Sequence, residues 1–119
     1  VVQEYVKRQV NANRCSSRYL AVAVFAEPVN TVAGVRHSFR HLGDVEQFVY
    51  ATGEPVQLHV DELNGYLYLK SADHVSLVRA APGEVLVFNA SVRRFTVESV
   101  AFFVSNYSLL KGLDGEEGG

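Results

Sequence analysis

The sequence has no methionine, no tryptophan and a single cysteine, Cys15. One cysteine excludes an internal disulfide and any cysteine-rich zinc site. It reads as a small, semi-buried apolar residue and fits an intracellular source, cytoplasmic or nuclear. No apolar run approaches the ~20 residues of a membrane-spanning helix, so no membrane partner is expected. Neither sign of charge dominates: 11 Lys and Arg stand against 13 Asp and Glu, a net charge of -2. That balance carries no whole-chain signal for nucleic acid, and direct contact with it is not expected. Repeats of 20–50 residues, a glycine-rich phosphate loop and a nucleophile elbow are missing as well. With none of these signatures present, neither catalysis nor a cofactor is expected.

What is there is ordinary for one folded domain: 119 residues, 48% of them hydrophobic and 20% charged. The chain opens Val1-Val2-Gln3 and reads as part of a larger protein. Residues 112–119, Gly-Leu-Asp-Gly-Glu-Glu-Gly-Gly, read as a flexible acidic tail. Without its three acids the body carries eleven basic and ten acidic residues and is close to neutral. At the other end Val2, Val6 and Val10 recur every four residues beside Tyr5, a helical stripe. Residues 1–17 are therefore expected to form a short N-terminal helix or arm, and 18–111 the folded domain.

From Arg18 onward the pattern is that of strands. Residues 19–26 are apolar on both faces, and Pro28 is expected to end that strand. Residues 32–41 read as an irregular strand or loop, and 45–51 as a strand carrying Val45, Phe48, Val49 and Tyr50. Residues 56–61 alternate, with Val56, Leu58 and Val60 on one face and Gln57, His59 and Asp61 on the other. Asn64-Gly65 suits a tight hairpin turn, and residues 66–69 return. Residues 74–80 alternate again, Pro82-Gly83 turns the chain, and Val85-Leu86-Val87-Phe88 is a short buried strand. Residues 92–98 and 100–109 read as the last two. About eight or nine short strands separated by turn residues indicate an all-β sandwich or barrel.

The stretch from Gly65 through Pro82-Gly83-Glu84-Val85-Leu86-Val87-Phe88-Asn89 to Val104 resembles the second half of a cupin domain, a double-stranded jelly roll. The cupin second motif runs Gly, five residues, Pro, one residue, Gly, two residues, a ligand His, three residues, Asn. Its positions fall on Gly83, Asn89, Ser91, Arg94 and Glu98, of which Gly83 alone matches by identity. Leu58 falls where the first motif has its ligand Glu, and its paired His positions fall near Thr52 to Pro55. Arg94, a fixed cation, falls where a metal ligand belongs. The resemblance is nearest to the metal-free cupin-like domains used for dimerisation, of which the C-terminal domain of the centromere protein C family is one. It implies a cupin-like jelly roll that binds itself and other protein subunits, without catalysis.

Two groups of residues are candidates for contact. Tyr66 and Tyr68 share one face of a strand whose other face carries Leu67 and Leu69. Phe102 and Phe103, read as strand neighbours, point opposite ways. This surplus of apolar surface calls for a second layer or a subunit interface. Tyr66, Tyr68, Phe102 and Phe103 are the expected dimer face, with Val2, Val6 and Val10 as a docking segment. Arg36, Arg40, Arg93 and Arg94 are candidates for an anion or an acidic partner. His37 and His41, four apart with Asp44 nearby, would share one face of a helix, the spacing of two metal ligands. With His59 they define the competing reading, a ligand-binding barrel or divergent metal-dependent cupin enzyme. A lattice-forming jelly-roll protein is the third. Asn89-Ala90-Ser91 and Asn106-Tyr107-Ser108 match the glycosylation signature, and both read as ordinary structural asparagines.

Overall fold

The computed structural model describes residues 2–7 and 18–109. Among them the chain runs β1 (Gln3–Lys7), β2 (Arg18–Ala23), β3 (Phe25–Thr31), β4 (Gly34–Arg40), α1 (Leu42–Thr52), β5 (Gln57–Asp61), β6 (Tyr66–Lys70), β7 (Ser76–Ala80), β8 (Glu84–Asn89), β9 (Arg94–Ser99), α2 (Val100–Asn106) and β10 (Tyr107–Leu109). The strands form three antiparallel sheets: a five-stranded sheet of order β10-β1-β2-β8-β9, the hairpin β3-β4, and the meander β5-β6-β7. The fold is predominantly β, as the strand spacing predicts. It is not a closed barrel: among the described residues β9 and β10 are the edges of the largest sheet.

The register explains the core. Leu20 lies opposite Phe88 and Val22 opposite Leu86, and these in turn oppose Phe95 and Val97. This face of the five-stranded sheet packs on Leu67, Leu69 and Ala80 of the meander and on Val45 and Phe48 of α1. Phe48 and Phe88 are fully buried, and each such side chain contributes about 1.5–3 kcal/mol by leaving water. The opposite face of the same sheet carries Val85 and Val87, packed with Tyr5, Tyr19, Phe103 and Tyr107. Strand β8 is thus covered on both sides, the reason Val85-Leu86-Val87-Phe88 is apolar without alternation.

Several local expectations are corrected. Residues 45–51 lie in a helix, α1. Val45, Phe48, Val49 and Thr52 follow helical spacing, and Gly53 closes the helix in the left-handed region, donating its N–H to the Tyr50 carbonyl. Of the helix or arm expected over residues 1–17, residues 3–7 are extended and not helical, and they are a strand of the sheet, paired between β10 and β2. A four-residue spacing is also a multiple of the two-residue strand period, so the valine stripe fits either geometry, and pairing within the sheet selects the strand. Residues 100–109 are not one strand. Ser99 caps α2, its hydroxyl accepting the Phe102 N–H at 3.1 Å, and three strand residues follow.

Pro28 does not end a strand. It sits inside β3, opposite His37. The His37 N–H leaves the hairpin to donate to the Glu62 carbonyl, so the position lacking an N–H at Pro28 faces the outer edge, where nothing is lost. The 19–26 strand divides at Val24, which turns the chain from β2 into β3. Residues 34–40 form the regular strand β4. The acidic stretch 112–119, Val10 and Cys15 lie outside the described residues.

Candidate functional site

The four arginines fall on two separate elements, and three already have carboxylate partners. Arg36 and Arg40 share one face of β4. Arg36 pairs with Glu62 at 3.5 Å and Arg40 with Glu27 at 3.0 Å. Arg93, in the β8–β9 turn with φ of 55°, pairs with Glu54 at 2.5 Å and donates to the Thr52 carbonyl at 2.6 Å. Arg94 has no carboxylate in ion-pair range among the described residues. It borders an open hollow of about 290 Å³ with Leu77 and Phe95.

The expected dimer face is divided between opposite surfaces. Leu67 and Leu69 point into the core, so Tyr66 and Tyr68 alternate to the outside of the β5-β6-β7 sheet. Their rings stand 6.2 Å apart, edge to face. Phe103 lies beyond the five-stranded sheet, on the far side of the core. There it meets Tyr5 edge-on at 4.9 Å and stacks on Tyr107 at 4.7 Å. Strand alternation puts one of Phe102 and Phe103 inside and one outside. The helix does the same by rotation: Phe103 is half-buried and Phe102 is 46% exposed. Val2 and Val6 are half-buried near or within β1.

The cluster beneath α2 has a polar centre. The Tyr107 hydroxyl donates to Glu98 Oε2 at 2.9 Å, while Glu98 Oε1 is buried without a hydrogen-bond partner. Burial first, then the hydrogen bond to Glu98 and its charge, push the Tyr107 phenol well above its ordinary pKa. Tyr19 meets Tyr107 edge-on at 5.1 Å and accepts a 3.3 Å hydrogen bond from Asn89. Beside this cluster, Tyr5, Ala21, Ala23, Phe25, Val85, Val100 and Phe103 line a groove of about 270 Å³. The two alanines leave the space, and the surrounding rings and valines make it apolar. Sequence patterning missed this groove because it depends on α2, a helix hidden in a strand-like run.

The histidine pair takes a different geometry from the helical one. His37 lies in β4 and His41 just beyond it, so extended chain sets their backbones roughly 13 Å apart. The His37 ring lies against Gly65, where a Cβ would stand 3.0 Å from it. The His41 ring meets Phe25 edge-on at 5.4 Å. His59 stands on the exposed face of β5, opposite Tyr68. No group of three or more His, Cys, Asp or Glu side chains able to hold a metal occurs among the described residues. Both glycosylation-like asparagines are engaged locally. Asn89 accepts the Ser91 N–H at 2.9 Å, and Asn106 donates to the Phe102 carbonyl at 2.9 Å.

Comparison of the chain with family models, with characterised proteins and with solved structures gave no match.

Proposed function

We propose that this chain is a non-catalytic interaction module that associates with itself inside a larger assembly protein, through the surface around α2. One observation carries the reading. In the seven residues of α2, Val100, Phe102 and Val104 are 44%, 46% and 61% exposed; Val100 lines an apolar groove with room for a side chain, and Phe102 projects from another side of the same helix. A two-fold interface needs a patch that fits its own copy, and a projecting apolar side chain next to an apolar hollow supplies both halves. Burying these side chains against a copy removes apolar area from water, the main driving force for association.

The turn at Gly83, with φ of 89°, leading into the buried strand β8, supports a relationship to the metal-free cupin-like jelly rolls. In this reading the open, layered sheets are a degenerate form of that roll. Sedimentation velocity of the chain at micromolar concentration tests the function. A dimer is expected, and a strict monomer rejects the reading.

A further inference from the structure

The outer face of the β5-β6-β7 sheet lies across the core from α2, so it is independent of the proposed self-association surface. Its register sets Tyr68 between His59 on one side and Arg79 on the other. The Arg79 guanidinium lies 4.3 Å from the Tyr66 ring centre, and the Lys70 ammonium 5.5 Å from that of Tyr68. Such contacts hold a cation over a ring without neutralising it. Arg18, Arg36, Arg40 and Arg93 each have a carboxylate partner. Lys70 and Arg79 have none among the described residues. The acid on this face, Asp61, has its oxygens occupied by the Asn64 side chain and the N–H groups of Leu63 and Asn64.

Two unneutralised cations, fixed by tyrosines on an open sheet, form a site for negative charge. The Arg79 guanidinium already occupies one face of Tyr66, which takes that face from a nucleic-acid base. The N–H groups of a guanidinium instead fit the oxygens of a carboxylate in a paired fork. Lys70 and Arg79 lie on neighbouring strands, where the register shifts between Leu69 and Lys70, and the Arg79 guanidinium reaches along the sheet to Tyr66.

We propose that this face docks an extended acidic segment of a partner protein, its carboxylates meeting Arg79 and Lys70. Calorimetric titration of the full chain at low ionic strength, with a blocked peptide of alternating glutamate and serine, tests it. Binding is expected to weaken with salt, to fall about three-fold in either Lys70→Ala or Arg79→Ala, and to be unchanged in Arg18→Ala, which alters an arginine paired with Glu4 on the other sheet. Far-UV circular dichroism shows whether each variant keeps its fold, and Arg79→Lys is expected to retain part of the affinity. The proposal is overturned if the glutamate peptide does not bind, if its glutamine counterpart binds equally well, or if folded Lys70 and Arg79 variants bind as the parent does. Tighter binding of single-stranded oligothymidylate than of the glutamate peptide overturns it as well.

Discussion

The Arg93 guanidinium donates to the Thr52 carbonyl oxygen at 2.6 Å, joining the β8–β9 turn to the last turn of α1. That helix has no basic residue of its own at its C-terminal end. The last carbonyls of a helix lack intrahelical partners and carry partial negative charge, so a cation from elsewhere in the fold stabilises them. Glu54 accepts from the Nε–H of the same guanidinium. Arg93→Ala is expected to cost about 1–2 kcal/mol, with Arg93→Lys recovering part. Urea denaturation measures it, and an unchanged midpoint would show that the bond anchors nothing.

The partnership between Tyr107 and Glu98 makes stability depend on alkaline pH. The phenol titrates higher in the folded chain than in the unfolded one, because burial and Glu98 oppose its ionisation. Its contribution is therefore fully present below the unfolded value of ~10 and is lost as pH rises from there toward the folded value. Tyr107→Phe is expected to flatten this alkaline limb. At neutral pH it leaves Glu98 with neither oxygen paired, at a cost of about 1–3 kcal/mol. Thermal unfolding from pH 7 to 11 separates the two effects.

How far the residues announce this arrangement varies by element. Strand β8 is legible because it is buried on both faces, and the β5–β6 hairpin because His59 and Asp61 alternate against Leu58 and Val60. Its turn is wider than the two-residue form suited to Asn64-Gly65: Asp61 caps it, and Gly65 alone takes positive φ, at 78°. The two helices are hard to see for a physical reason. Each is short, and a window containing Phe48-Val49 or Phe102-Phe103 is apolar enough to pass for a two-faced strand. Ser99 is the signal for α2 and Gly53 for the end of α1. At the candidate site, Tyr66, Tyr68 and Phe103 are legible as residues with surface to cover. Their division between two outer surfaces depends on sheet order, which local periodicity does not encode.

Asp61 gives the opposite pH dependence at the acid end. The side-chain amide of Asn64, then the Asn64 N–H, hold its carboxyl below the ordinary value; burial opposes this slightly, while the Leu63 N–H and the charge of His37 add to it. With the folded pKa depressed, the stabilisation is present above the unfolded value of ~3.9 and disappears as pH falls through the folded one. Asp61→Ala is expected to be less stable than the parent at pH 6, and the gap should close by pH 2. Paired denaturation curves at the two pH values check it, and a gap independent of pH would remove the carboxylate from the account.

Phe102 and Phe103 should respond oppositely to the same change. Phe103 packs between Tyr5 and Tyr107, so Phe103→Asp places a charge in an aromatic cluster that cannot solvate it. That variant is expected to lose several kcal/mol and to unfold at the β1–β10 edge of the sheet. Phe102 is 46% exposed and belongs to neither buried cluster, so Phe102→Asp leaves both clusters intact. Its circular dichroism and unfolding midpoint at low concentration should match the parent, while its sedimentation at micromolar concentration should shift from dimer to monomer. Full retention of the dimer in folded Phe102→Asp would move the contact surface away from this residue, and a parent that is itself monomeric would reject the surface altogether.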